Sequence, residues 1–363
     1  MFTKKHFINV ISVLFLFIIN IIFLSNHSAF GLDFLPGYYW LFIPLFLVIL
    51  WVTDRIIKHS GIKYRKNYIL LFLLIILLIA TSEFLFNMNK GSAYLASVIW
   101  LTNISSGAFP YTYTHLFNLP FLYYLEAPFY LLGNVGLFGL FGLALFLSMI
   151  LEFSSTKKEI VTRTVVLLVL PAFYYEILSG GDTFANAVLV IAIIFLMKKF
   201  INEDKIDIKF FFISLVFGAF LCTRVLVIIP FLLSLLFFFR YNIKNIILFA
   251  LLSFLICFAL LAPFLRWDYF SFVTFGPFTN SITRLSIWIY ILLFAVIVYT
   301  GWMISDLQEL LFASGVILFC VSFIMFLGKA NYTDGMIFSV PFLILSIKEY
   351  EVDKFLGKKI PIK

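Results

Sequence analysis

Charged side chains are scarce in this chain, and several stand where an apolar run ends. Glu83 closes one such run, Glu126 lies inside another, Glu176 and Asp182 bracket the turn Leu178-Ser179-Gly180-Gly181, and Arg224 separates two short runs. An ionisable group at membrane depth costs a few kcal/mol, so it is usually paired, faces a cavity or has a function. A carboxylate so placed can act as general base toward a hydroxyl, while an arginine holds a phosphate or pyrophosphate through charge-assisted hydrogen bonds. Arg284 is a second base of this kind. The same acids and bases could equally be structural ion pairs that let helix ends pack. Asp33 needs no such explanation, because GLDFLPG around it is a turn sequence.

The elements that position these groups must be membrane helices. With 363 residues, 63% hydrophobic and 12% charged, and a mean hydropathy of +1.10, the composition excludes a soluble globular protein. The 49 Phe and abundant Ile, Lys and Asn are the usage of an AT-rich bacterial genome. Cys222, Cys257 and Cys320 lie in apolar runs without ligand spacing, so neither a disulfide framework nor a zinc site is indicated. The histidines His6, His27, His59 and His115 are scattered. No cofactor is expected, a divalent metal has no support in the sequence, and no nucleic-acid partner is expected. Lys4 and Lys5 before the run Phe7 to Leu24 resemble a signal peptide, but the run is long and lacks a small-x-small site, so it reads as a retained first helix.

Apolar runs near 7–24, 36–53, 68–86, 121–150, 161–178, 183–197, 210–222, 225–239, 245–265, 285–303, 310–327 and 335–347 predict an all-α bundle of about twelve crossings. With both termini cytoplasmic, Lys90, Arg224, Arg266, Arg284 and Lys329 lie outside, and the other 21 of the 26 basic residues lie inside. The protein is therefore expected in the cytoplasmic membrane. The same rule makes 210–239 a hairpin, because a single tilted helix would export Arg240, Lys244 and the C-terminal lysines. Thirteen residues reach only about 20 Å against roughly 30 Å of hydrocarbon. Arg224 is thus expected in a recess below the outer surface.

The interval from Glu83 to Glu126 is too polar to cross and too aromatic to float free. Ala93, Val98, Ile99, Trp100 and Leu101 sit near helical spacing between Ser92 and Ser105, which predicts a short amphipathic helix in the interfacial plane. Gly107 and Pro110 end it. Tyr111, Tyr113, His115, Phe117, Phe121, Tyr123 and Tyr124 then supply aromatics suited to the headgroup level, as a wall or lid over a site or simply as a belt.

The order of these parts resembles the GT-C-type polytopic glycosyltransferases over roughly residues 68–265. GAFPYTYTHLFNLPFLYYLEAPFYLLG is similar to the G-x-x-PY stretch of their first outer loop, LSGGDTFANAVLVI to a later outer turn, and TRVLVIIPFLL to a short helix that begins with a basic residue. The resemblance implies one membrane domain over 1–363, with two extra helices in 1–67 and further helices in 266–363. It implies a polyprenyl-phosphate sugar arriving from the bilayer and a cell-envelope glycan, lipid or protein acceptor arriving from outside. Glu83 and Asp182 would be the catalytic acids and Arg224 the phosphate ligand. Glu126, Glu176, Tyr111, Tyr113, His115 and Arg284 would surround the substrates. One departure is plain: such families place an acid at the start of the first outer loop, and no Asp stands between Glu83 and Tyr113, where the loop begins Asn87-Met88-Asn89-Lys90. A lipid-linked oligosaccharide polymerase or ligase and a non-catalytic lipid-binding relative remain open. A transporter would be expected to carry ionisable groups near the midplane and a duplicated half.

Overall fold

The computed structural model describes residues 4–26, 68–69, 71–73, 75–76, 91–111, 118–201, 206–276, 287–328 and 333–348. Asp33, Glu83, Lys90, Tyr113, His115 and Arg284 lie outside these, as do the expected crossing at 36–53, the loop at 54–67 and most of the crossing at 68–86. Every described regular element is a helix: α1 Lys4–Asn26, α2 Ser92–Ser105, α3 Pro120–Leu131, α4 Leu137–Phe153, α5 Lys157–Leu168, α6 Pro171–Leu178, α7 Thr183–Phe200, α8 Ile208–Leu221, a 3-10 turn Val225–Val227, α9 Ile228–Phe239, α10 Ile243–Trp267, α11 Tyr269–Phe275, α12 Ile287–Met303, α13 Leu307–Gly328 and α14 Thr333–Ser346.

Among the described residues, α7, α10 and Leu307–Met325 of α13 are long and apolar enough to cross a membrane, and α5 with α6 make a fourth candidate bent by 67°. The continuous crossing expected over 161–178 is therefore broken. Pro171 opens α6, and Leu170 before it is extended (φ −90°, ψ 106°), as the clash with a following proline ring requires. The run at 121–150 is also divided. Its first part is α3, whose twelve residues reach only about 18 Å, and Gly133 at φ +90° turns the chain into α4. So α3 stands apart from the candidate spans, and α4 is the apolar segment that follows.

The helices share two ends. Arg163 in the middle of α5 donates to Phe153 O and Ile347 O, Gln308 of α13 donates to Ser346 O, and Arg240 donates to Ile304 O. The Phe210 and Phe239 rings lie 5.6 Å apart. The middle of α5 at Arg163 and the first turns of α8 and α13 thus meet the last turns of α4, α9, α12 and α14; this is the lysine end. At the opposite, acid end, Leu119 N and Phe121 N of α3 bond Thr223 O and Cys222 O at 2.8 and 3.0 Å.

The α8–α9 hairpin is present. Phe210 faces Phe239, and Phe217 faces Phe231 at 5.0 Å, a pairing that only antiparallel helices give. α10 returns parallel to α8: Ser253 Oγ donates to Ser214 O at 2.9 Å, and Gly218 admits the Ser253 backbone so closely that a Cβ there would collide with it. From that register α10 continues to Trp267 whereas α8 stops at Leu221, an excess of about nine residues or roughly 13 Å. Arg224 therefore sits well below the top of α10.

Candidate functional site

The acid end is built on the turn between α6 and α7. Gly180 adopts φ +74°, the left-handed region that glycine enters without penalty. A Cβ on the adjacent Gly181 would strike the Glu176 carboxylate. With both positions open, Glu176 Oε1 reaches over the turn and accepts from Thr183 N at 2.6 Å and Phe184 N at 3.3 Å. These are orphan donors at the start of α7, which an N-cap side chain would ordinarily satisfy. Asp182 is itself the N-cap residue yet makes no capping bond. Because Glu176 does that work, the Asp182 carboxylate is released to face the bundle.

Beside a long 3.4 Å bond from the hydroxyl of its neighbour Thr183, it meets Arg224 and Asn118 there. Arg224 Nη2 pairs with Asp182 Oδ1, and Asn118 Nδ2 donates to Asp182 Oδ2. Asp182 is 2% exposed and Arg224 8%, so the pair is largely desolvated. Arg224 thus lies in a recess, as its place at the tip of a short hairpin predicts, and its guanidinium is turned onto the Asp182 carboxylate. α3 and the hairpin tip are locked together by the backbone bonds of residues 119 and 121 given above, which bring Asn118 and Arg224 to the same carboxylate.

Glu126, two turns into α3, is fully buried, and neither carboxyl oxygen has a hydrogen bond. Burial, and then the Asp182 carboxylate beside it, hold its pKa well above the ordinary range. Around it, Ser97 Oγ, Trp100 Nε1, Asn118 Oδ1 and Tyr123 Oη are buried and make no hydrogen bond of ordinary geometry. Native interiors rarely leave such groups unpaired, and a concentration of them marks a place where something other than packing set the residue types. Burial, followed by Asp182 and Glu126, also raises the Tyr123 phenol well above its usual value, so it stays a neutral donor.

The helix α2 lies over this knot. It coincides with the stretch predicted from spacing, but it is not amphipathic. Ser97, Trp100 and Leu101 face inward, and the outward face still carries Leu95 and Ile99. Its start is tied to the turn by Gly91 N bonding Ser179 O at 2.9 Å. Of the described aromatics beyond it, Tyr111 and Tyr123 are core rather than lid, while Tyr124 is exposed. Tyr111 and Tyr123 are completely buried, Trp100 stacks on Tyr123 at 4.7 Å, and Tyr111 meets Phe272 edge-on at 5.0 Å. The expectation that Tyr111 contacts substrate is corrected accordingly: its ring is enclosed and its hydroxyl donates to Asn118 O at 3.3 Å.

Of the residues singled out from sequence, Asp182, Arg224, Glu126 and Glu176 converge, with Glu176 acting as a helix cap rather than as a free ligand. Glu83, Tyr113, His115 and Arg284 are outside the described residues. Sequence reasoning missed Asn118 and Ser97, and named Tyr123 only as one of the outer-loop aromatics. Asn118 stands in Phe117-Asn118-Leu119-Pro120, where an Asn shortly before a helix-opening proline reads as a turn former, and nothing local announces a partner 64 positions away. Among the described residues, no three His, Cys, Asp or Glu side chains are arranged to hold a metal ion. No protein-family model, curated protein or solved structure matches this chain.

Proposed function

We propose that this protein is a membrane glycosyltransferase of about twelve crossings, with both termini cytoplasmic. It takes a sugar from a lipid-phosphate donor and transfers it to an acceptor on the outer face of the cytoplasmic membrane. The observation that carries the reading is the recessed group formed by Asp182, Arg224 and Asn118, with Glu126 unpartnered beside it and the helix α2 packed over it.

In the proposed step the acceptor hydroxyl attacks the anomeric carbon of the donor. A new carbon–oxygen bond forms, the bond from that carbon to the phosphate oxygen breaks, and the phosphate leaves with the electron pair. Asp182 takes the hydroxyl proton. That proton removes the charge that holds Arg224 just as the leaving phosphate gains one, so the guanidinium transfers its pairing from carboxylate to phosphate. A planar, permanently charged fork suits this exchange because burial does not neutralise it. The enclosing aromatics keep water from the donor and limit its hydrolysis.

The test is transfer from a panel of labelled polyprenyl-phosphate sugars to membrane acceptors by the purified full chain. The reading expects at least one donor to be consumed by the parent and none by Asp182→Asn or Arg224→Ala. It fails if no donor binds, or if Asp182→Asn and Glu83→Gln both transfer at the parental rate.

A further inference from the structure

The lysine end holds a small polar cavity that the transferase reading does not use. Its volume is about 180 Å³, and its polar lining is Arg163, Lys198, Asp306, Gln308 and Lys348. That is below the size of a drug-like pocket and fits a single headgroup. The lining carries three cations against one carboxylate. Lys198 lies in the last turn of α7 and Lys348 two residues beyond α14, and neither ammonium pairs with a carboxylate among the described residues.

The cavity is held rigid by three side chains that secure the end of α14. Arg163 donates to Leu345 O and Ile347 O at 3.0 and 2.8 Å, and Gln308 Nε2 donates to Ser346 O at 2.7 Å. Asn9 brackets Lys348, donating to its carbonyl at 2.5 Å and accepting from its amide at 3.0 Å. The Lys348 backbone is thereby fixed in place before any ligand arrives. The bond from Gln308 Nε2 also sets the amide orientation, since only the NH2 side can donate to a carbonyl. Gln308 Oε1 is left buried, 8% exposed with its residue, and without a partner. Asp306 uses Oδ1 to cap α13 through Glu309 N at 2.9 Å and keeps its other oxygen. The cavity therefore offers cationic donors beside acceptors that want a hydroxyl.

We infer that this cavity binds a phosphate that bears a free hydroxyl, as in a glycerophosphate headgroup. Two ammonium groups meet the phosphate oxygens as point charges, and Gln308 Oε1 with Asp306 accepts the hydroxyl. A choline headgroup brings a cation and no hydroxyl, so it is excluded on both counts. The source of the phosphate is either a lipid in the adjoining leaflet or a soluble glycerol phosphate.

The test uses the purified full-length protein in detergent, with binding read by native mass spectrometry and by the thermal midpoint. The probes are phosphatidylglycerol, phosphatidylcholine and free glycerol 3-phosphate. Phosphatidylglycerol should be retained and raise the midpoint while phosphatidylcholine does neither. The double variant Lys198→Ala with Lys348→Ala should bind about ten-fold more weakly or worse, since each ammonium makes a charge-assisted contact. Both side chains are exposed, so this variant should fold, with its helix content and elution volume confirming it. Lys199→Ala, which removes an ammonium lying 5.4 Å from the Phe200 ring centre outside the cavity, should bind as the parent does. If glycerol 3-phosphate alone saturates the site with the same dependence on the two lysines, the site stands and the ligand is soluble. Equal retention of the two lipids, or undiminished phosphatidylglycerol binding by the double variant, overturns the inference.

Discussion

Two arginines are buried among the described residues, one near each end of α7, and they do opposite work. Arg163, 3% exposed, makes four hydrogen bonds, to Ile347 O, Phe153 O, Leu345 O and Ser154 Oγ. All four acceptors are neutral, so the guanidinium is held by groups that carry no charge, with the Glu159 carboxylate acting on it only through its field. Arg224, 8% exposed, is paired with the carboxylate of Asp182, a charged acceptor. The first arrangement is a clamp that closes the carbonyl ends of two helices. The second is an electrostatic couple between opposite charges. Burial of an arginine thus says little about function until the chemistry of its acceptors is known.

The sharpest way to break this comparison is to remove Arg224. Arg224→Ala should abolish transfer and leave the Asp182 carboxylate buried without its cation, destabilising the protein by about 3–5 kcal/mol. Because lost stability could by itself explain lost activity, a neutral pair is the better control. Asp182→Asn with Arg224→Gln should recover most of the thermal midpoint and none of the transfer. Arg224→Lys should restore activity only in part, since the fork of donors is gone. If the neutral pair transfers sugar, Arg224 is a clamp like Arg163 and the proposed chemistry is wrong.

At the other end the expectation reverses. Arg163→Ala leaves three carbonyls and a serine hydroxyl without their donor, for a loss of about 3 kcal/mol, read as a lower midpoint in detergent. Transfer per folded molecule should stay near the parental value. A specific loss of turnover at unchanged midpoint would place Arg163 in the reaction.

The two ends also differ in how well they can be read from sequence. The hairpin at 210–239 was legible because a single helix there would separate Arg240, Lys244 and the terminal lysines from the other basic loops, and the α8–α9 ring pairs agree with two antiparallel helices. The convergence of Glu126, Glu176, Asp182 and Arg224 was legible because charged residues in apolar runs are costly and seek one another. Their individual roles were not. Whether Glu176 or Asp182 caps α7 depends on Gly181 leaving room for the longer side chain, a matter of backbone geometry. The aromatic run at 111–124 fits a headgroup belt or a core equally well by composition, and only contact with Trp100, Phe264 and Phe272 distinguishes them. At the lysine end, six charged or amide side chains scattered from Asn9 to Lys348 carry no local pattern.

Gly181 tests the division of labour between the two acids. In Gly181→Ala the new methyl displaces the Glu176 carboxylate from Thr183 N and Phe184 N, at a cost of about 1–2 kcal/mol typical of a lost cap. Asp182 is then the nearest replacement cap, and turning to that task weakens its hold on Arg224. Transfer should fall well beyond what the change in midpoint explains. A drop in midpoint with turnover per folded molecule unchanged would mean that the cap and the couple are independent.

The smallest effect is expected at Glu126, and it is a dependence on pH. Burial and neighbouring Asp182 raise the pKa of its carboxyl, so it is higher in the folded chain than in the unfolded one. The folded state then binds more protons than the unfolded state in the interval between the two values. Stability contributed by this group is fully present below the unfolded value of about 4.3 and is lost as pH rises toward the folded value. Glu126→Gln has nearly the shape of the protonated side chain and cannot ionise. The variant should match the parent at low pH and hold its thermal midpoint at neutral pH, where the parent declines. Across the same titration, Arg163→Ala should shift the midpoint by a nearly constant amount, because its acceptors do not titrate. A parent midpoint that rises from pH 5 to pH 8 with a slope that Glu126→Gln removes would show that the carboxyl is ionised in the fold. In that case Glu126, rather than Asp182 alone, would share Arg224 as a second anion.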